Sequence, residues 1–213
     1  MKIALIGATG YIGSVILQEA LSRGHLVTGI ARQPEKMPGH PNLIPSMCDI
    51  RDELKTATLL LDHEAVISAY APDRGTPDVY EQVISGYRAI LSTVKKAGIT
   101  RLLVTGGAGS LEVSPGVQLV DTLDLPEQWK PGILGIREVL YILRKEAELD
   151  WTFLSPSQTI APGKRTGQFR IGGDGLLTGA DGKSRISLED YAVAMIDELE
   201  NPKHIRQRFT VGY

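Results

Sequence analysis

The sequence predicts an α/β fold: a doubly wound parallel sheet covered by helices on both faces, in a single domain spanning residues 1–213. Three observations carry that prediction. Short apolar runs alternate with segments of helical periodicity along the chain. The first run, Ile3-Ala4-Leu5-Ile6, breaks at once into glycines at Gly7, Gly10 and Gly13. A length of 213 residues with 42% hydrophobic and 23% charged side chains suits one sizeable core.

Strands are expected at 2–6, 26–31, 43–47, 65–69, 101–105 and 151–155, and helices at 11–23, 52–60, 78–97, 132–147 and 188–200. After the glycines, Ile12, Val15, Ile16, Ala20 and Leu21 recur at helical spacing, and Gly24 supplies a C-terminal stop. The third helix carries Tyr80, Val83, Ile84, Tyr87, Ile90, Leu91 and Val94 on one face and closes at Gly98. The fourth carries Ile133, Ile136, Leu140, Leu143 and Ala147. The last opens at Ser187 as N-cap, with Glu189 and Asp190 in its first turn, and stops before Pro202. Strands separated by helices pair in parallel, which buries both faces of the sheet. Residues 106–131 and 156–187 leave this rhythm, being rich in Gly, Pro and polar residues. Each follows the carboxyl end of a strand, where open α/β sheets bind ligands, so both are expected to be short substrate walls.

The strand–glycine–helix junction reads as an anion site. Gly7 permits the turn, Gly10 lets backbone approach a pyrophosphate, and Gly13 allows close helix–strand packing. Free N–H groups and the positive end of the helix dipole face the same point. About 20 residues on, NAD-preferring sites place a carboxylate at the end of the second strand. Here the chain reads Ile30-Ala31-Arg32-Gln33-Pro34-Glu35-Lys36. An Arg suits a 2′-phosphate, so NADPH is favoured over NADH, with a plain solvated strand-end Arg as the alternative. Asp49, followed by Ile50, stands either to meet the adenine amino group or to cap the next helix. Ser68-Ala69-Tyr70 forms a small-residue turn suited to passing near the ribose. Gly106, Gly107 and Ala108 belong to a second glycine cluster, but Pro115 and Gly116 follow it instead of a helix. Backbone lining of the nicotinamide pocket is therefore expected there, and Ser110 is the candidate catalytic hydroxyl, for orientation or proton donation.

Other chemistry is thin. A net charge of −2 with scattered Lys and Arg offers no field for nucleic acid. One cysteine, Cys48, and four dispersed histidines supply no metal ligand set and fit a reducing compartment. The apolar run before Gly7 is too short for a signal peptide and no stretch spans a membrane, so a cytoplasmic location is expected. Trp129 and Trp151 read as core. The basic stretch Gly163–Arg170 is either a solvated loop or a cover for a phosphate. Tyr141 and Lys145 have Tyr-x-x-x-Lys spacing but lie too near the following strand, and read as a half-buried aromatic and a helix-end cation. A Tyr/Lys pair in its usual place would fall near Lys130 and Leu134, where it is absent. Ketone reduction gains roughly 10²–10⁴ from a positioned acid. Hydride addition to a flavin or quinone spreads its charge over a ring system and takes its proton from solvent, so alignment of two rings suffices.

With these segments placed, the chain resembles the atypical short-chain dehydrogenase/reductase group. Within that group it is similar to the NADH-flavin reductase branch related to biliverdin-IXβ reductase, and more distantly to NmrA-like regulators. The resemblance runs end to end and includes Trp151-Thr152-Phe153-Leu154-Ser155-Pro156, Ser187–Ala194 and Arg208-Phe209-Thr210-Val211-Gly212-Tyr213. It implies a Rossmann-type fold and NADPH or NADH as cofactor, with FMN or FAD as possible substrate. It also implies phosphate contacts at Thr9, Gly10, Tyr11, Ile12 and Arg32, and a position near nicotinamide and flavin for Ser110. Two other functions fit the same fold: a non-catalytic NADP sensor that binds a protein partner, and a sugar-nucleotide epimerase or dehydratase. Composition does not fix the oligomeric state.

Overall fold

Chain order in the computed structural model, which describes residues 1–73 and 75–213, alternates strand and helix from the start. The first half runs β1 (Lys2–Ile6), α1 (Gly13–Ser22), β2 (Leu26–Ala31), β3 (Leu43–Met47), α2 (Glu53–Leu60), β4 (Ala65–Ser68), α3 (Val79–Lys96) and β5 (Arg101–Thr105). A hairpin of β6 (Glu112–Ser114) and β7 (Val117–Gln118) follows, then the four-residue α4 (Leu119–Thr122), α5 (Lys130–Arg144) and β8 (Asp150–Ser155). The last part holds β9 (Thr159–Ala161), β10 (Arg170–Gly172), β11 (Arg185–Ser187), α6 (Leu188–Glu200) and β12 (Gln207–Gly212).

Eight strands form the central sheet in the order β10-β12-β8-β5-β4-β1-β2-β3. Every pair is parallel except β10 with β12, which is antiparallel. Successive side chains of a strand point to opposite faces, and the core follows that alternation. Ile3 and Leu5 join Ile16, Leu17, Tyr191, Met195 and Ile196 under α1 and α6, whereas Ala4 and Ile6 join Tyr87, Ile90, Val94, Val139 and Leu140 under α3 and α5. The sheet is therefore doubly wound, as the sequence predicts. From β1 the chain builds outward to β2 and β3, then crosses back to β4 on the other side. The carboxyl ends of β1 and β4 thus flank the switch point, where connections leave in opposite directions and sheets of this kind take their ligands.

Several expectations need correction. The segments 106–131 and 156–187 are more than irregular walls: they contain the β6–β7 hairpin, α4, the parallel β9–β11 pair, and β10 at the border of the main sheet. β12 is not among the expected strands, because Pro202 and the mostly polar 203–206 stretch hide the six-residue run that follows. α1 starts at Gly13, two residues later than expected, since Gly10 N–H folds back onto the Gly7 carbonyl at 2.9 Å. Trp151 is core, but Trp129 is 56% exposed where α5 begins. At the other border of the sheet, β3 carries Pro45 opposite Gly29 of β2.

Candidate functional site

Gly7 ends β1 with φ +80°, a left-handed conformation open to glycine at no steric cost, and its N–H donates to the Ile30 carbonyl at 2.8 Å. A Cβ at Gly7 would stand 2.5 Å from the Ala69 carbonyl oxygen, and one at Gly13 2.1 Å from the Gly7 oxygen. At Gly10 a Cβ would meet only the Gly7 oxygen, at 3.2 Å, and its other side is open to solvent. Gly7 and Gly13 are thus held by packing, and Gly10 is left facing outward. Among the described residues, the backbone N–H groups of Thr9, Tyr11, Ile12 and Gly13 donate to no protein acceptor. α1 has no side-chain cap and no acidic residue in its first turn. Four free donors and the positive end of the helix dipole therefore lie together in the turn that opens α1, where Gly10 and Tyr11 are exposed.

Beside it, Cys48 N–H donates to the Ala31 carbonyl at 3.1 Å, bringing Asp49 alongside Arg32. Arg32 reaches Asp73 through Nη1 at 3.4 Å and Nη2 at 3.3 Å, and its side chain is 62% exposed. Asp49 accepts from Arg51 Nε at 3.0 Å and Nη2 at 2.6 Å. Those hydrogen bonds, with burial opposing and the Arg32 charge adding, hold its carboxyl down at about 2. Asp49 does not cap α2: Asp52 does, accepting from Lys55 N–H at 3.1 Å. Ile50 is buried in the core beneath α3 rather than exposed toward the crevice.

At the end of β4, Ser68 is buried and Ala69 N–H donates to the Ile6 carbonyl at 2.8 Å, tying the two strand ends together. Tyr70 lies half-buried over Gly86 and packs edge-on against Tyr87, with ring centroids 5.8 Å apart. Tyr87 is fully buried, donates to the Tyr70 carbonyl at 3.3 Å, and has its phenol pushed up to about 12 by burial. It braces the floor from below and its hydroxyl stays protonated.

The 106–110 turn is shaped by packing as well as by access. A Cβ at Gly106 would meet the Phe153 ring at 2.3 Å, one at Gly107 would meet Ile136 at 3.0 Å, and one at Gly109 would meet Ile133 at 2.4 Å. Ser110 is 2% exposed and its Oγ has no hydrogen-bond partner among the described residues, so the hydroxyl expected to face a substrate is instead buried behind its turn. Its carbonyl accepts from Nη2 of buried Arg208 at 3.4 Å, and Arg208 also grips Asp174 and reaches Ser155 Oγ at 3.4 Å.

The basic 163–170 segment is strapped down. Asp190 Oδ1 accepts from Thr166 N–H at 2.7 Å and Gly167 N–H at 2.8 Å, and Oδ2 accepts from the Thr166 hydroxyl at 2.6 Å and the Tyr213 hydroxyl at 2.7 Å. Burial raises the Asp190 carboxyl, but these hydrogen bonds outweigh it and the group lies below the usual aspartate value. Arg165 pairs with Glu19 of α1 at 2.8 Å. Of that segment's cations, Arg165 is therefore already engaged with the protein's own carboxylate. Tyr141 is half-buried and accepts from Gln118 Nε2 at 3.0 Å, and Lys145 is exposed at the end of α5, as their spacing from β8 predicts. Arg51, Arg208, Asp174 and the strap function of Asp190 escaped sequence reasoning. Asp190 was visible only as a first-turn acid, and nothing local marks the other three. A separate recess of about 290 Å³ opens by the C-terminal end of α6, lined by Phe169, Ile171, Glu198, His204 and Phe209. No helix among the described residues is long and apolar enough to cross a membrane.

Comparison with known proteins bears on this arrangement. A family model described as NAD(P)H-binding matches residues 7–202. YwnB of Bacillus subtilis, an uncharacterised protein, is 40% identical over 215 residues, covering 99% of this chain and 98% of the relative. A Bacteroides thetaiotaomicron protein provisionally named an epimerase superimposes with a TM-score of 0.93 at 45% identity, over 100% of this chain and 96% of that one. A Streptococcus pneumoniae protein provisionally named an NADH-flavin reductase superimposes with a TM-score of 0.86 at 35% identity, over 100% of this chain and 99% of that one.

Proposed function

The chain belongs to the NAD(P)H-binding family, and from that premise we propose that it binds NADPH and reduces a flavin or a similar planar acceptor such as a quinone. The observation that carries the binding half is the uncapped, acid-free start of α1 with its four free N–H groups. A diphosphate satisfies those donors, and Thr9, Gly10, Tyr11, Ile12 and Gly13 would hold it. Arg32 takes the 2′-phosphate, its long contacts to Asp73 being readily exchanged. Asp49 lies toward the adenine with Ile50 packed behind it, and Ser68, Ala69 and Tyr70 border the ribose. Gly106, Gly107 and Ala108 line the nicotinamide side, and Ser110 stands buried behind them, close enough for its hydroxyl to act on the turn rather than to touch the ring directly.

A bound nicotinamide supplies hydride. The protein's part is to hold an acceptor ring parallel to it and to keep water from between them. No tyrosine acid is needed for a ring acceptor, because solvent protonates it after the charge has spread. The name of the Streptococcus neighbour supports this acceptor class. That of the Bacteroides neighbour points to epimerisation, which calls for an acid–base group at the nicotinamide; Lys130 and Leu134 occupy the positions of the usual Tyr/Lys pair.

The deciding experiment is steady-state oxidation of NADPH with FMN, FAD and quinones as acceptors. Turnover with one of them supports the reductase. Tight NADPH binding without turnover overturns it in favour of a sensor, and conversion of a nucleotide sugar without net NADPH loss overturns it in favour of an epimerase. Ser110→Ala is expected to slow turnover a fewfold with NADPH affinity unchanged, read from kcat against Kd; unchanged kcat reduces Ser110 to packing.

A further inference from the structure

We propose that Arg51 is a second specificity-determining residue of the coenzyme site, its guanidinium joining that of Arg32 on the 2′-phosphate. The inference rests on the NADPH reading above and adds a residue to it. Position comes from the backbone. Cys48 N–H on the Ala31 carbonyl places Asp49 next to Arg32, and Asp49 Oδ1 accepts the Arg51 N–H at 3.0 Å, folding Arg51 back over Asp49. Asp49 feels both arginines, and so does the half-buried Tyr70 phenol at the end of β4. The two cations therefore share one corner at the carboxyl ends of β2, β3 and β4.

Orientation comes from the pairing. Arg51 gives Nε and Nη2 to Asp49, and its Nη1 makes no hydrogen bond among the described residues. A guanidinium has five donors in a planar fork, so Arg51 keeps its carboxylate while offering the free Nη1 edge outward. Its side chain is 70% exposed, and nothing needs to move to uncover it. Charge completes the argument. Among the described residues Arg32 is paired with Asp73 and Arg51 with Asp49. A phosphate of nearly two negative charges displaces the loosely held Asp73 from Arg32 and finds a second guanidinium, exposed and with Nη1 unengaged, on Arg51. A ribose with free hydroxyls offers no such charge, so Arg51 discriminates between the two coenzymes.

The test is calorimetric titration of wild type, Arg51→Gln, Arg51→Lys and Arg32→Gln with 2′,5′-ADP and with 5′-ADP. Arg51→Gln is expected to weaken 2′,5′-ADP about tenfold and leave 5′-ADP within about twofold, with Arg51→Lys between it and wild type because charge survives without the fork. Unchanged 2′,5′-ADP affinity in Arg51→Gln, alongside a loss in Arg32→Gln, overturns the role of Arg51 and leaves the NADPH reading standing. Equal wild-type affinity for both nucleotides, insensitive to either arginine, overturns both. Arg51 is solvent-exposed and outside the core, so the variant folds, and its circular dichroism should match wild type.

Discussion

Gly10 and Gly13 lie one helical turn apart yet answer to different constraints. A methyl at Gly13 meets the Gly7 oxygen at 2.1 Å and the Ala69 methyl at 3.2 Å, so the strand end must shift. Gly13→Ala should cost about 2 kcal/mol or more, read as a lower thermal midpoint without ligand. Gly10→Ala meets one atom at 3.2 Å and should leave the midpoint nearly unchanged, while NADPH affinity falls about tenfold because the methyl occupies the diphosphate's approach. Equal effects on both measurements would erase the distinction. At the end of β2, on the proposed 2′-phosphate role, Arg32→Glu should weaken NADPH by about 10- to 100-fold and NADH far less, compared by fluorescence titration. Equal losses would remove the phosphate role. These residues were legible because glycine spacing and a strand-end charge are local signals. Ser110 was legible as a hydroxyl following the fifth strand but not as a buried one, since Ile133 and Ile136, which roof its turn, arrive more than twenty residues later.

α6 does more than cover the sheet. Its first turn carries Asp190, whose carboxylate collects the Thr166 and Gly167 amides and ties down the segment beside the crevice. Asp190→Asn turns one acceptor oxygen into a donor facing donors, which should cost about 1–3 kcal/mol and speed amide exchange at Thr166 and Gly167. The pH dependence follows from the depressed carboxyl. A group held below its unfolded value stabilises the fold in full above about pH 4, and that stability is lost as pH falls through the lower folded value. Wild type should therefore lose its margin over the Asn variant in acid, followed by denaturant midpoints. The cap at Ser187 was legible in the sequence, with the Asp190 N–H donating to its hydroxyl at 3.0 Å. The strap was not, because its partners lie more than twenty residues away and carry no pattern of their own. β9, β10 and β11 escaped for a related reason: three residues are too few to show a period.

The two ends of the molecule are specialised. At the amino end of the sheet, opposite the crevice, buried Arg101 donates to Glu198 Oε1 at 3.1 Å and to Thr152 Oγ1 at 2.7 Å, and Glu198 also accepts from His204 Nδ1 at 2.7 Å. Removing the cation leaves a buried carboxylate short of a partner, so Arg101→Met should cost about 3 kcal/mol. NADPH affinity should not move, because the residues proposed to hold the coenzyme lie at the other ends of the strands; a parallel loss of binding would contradict that separation. The doubly wound class was legible from alternation alone, since a chain that interleaves strands with amphipathic helices must cover both faces of a parallel sheet; the strand order was not. The borders were not, because what happens at the last strand depends on a partner the local sequence does not name. One border ends on Pro45, whose ring nitrogen has no hydrogen to give. A second molecule aligning there would find a gap in the ladder at mid-strand, so crowded solutions of this protein are guarded against fibre growth from that side by a single imino acid.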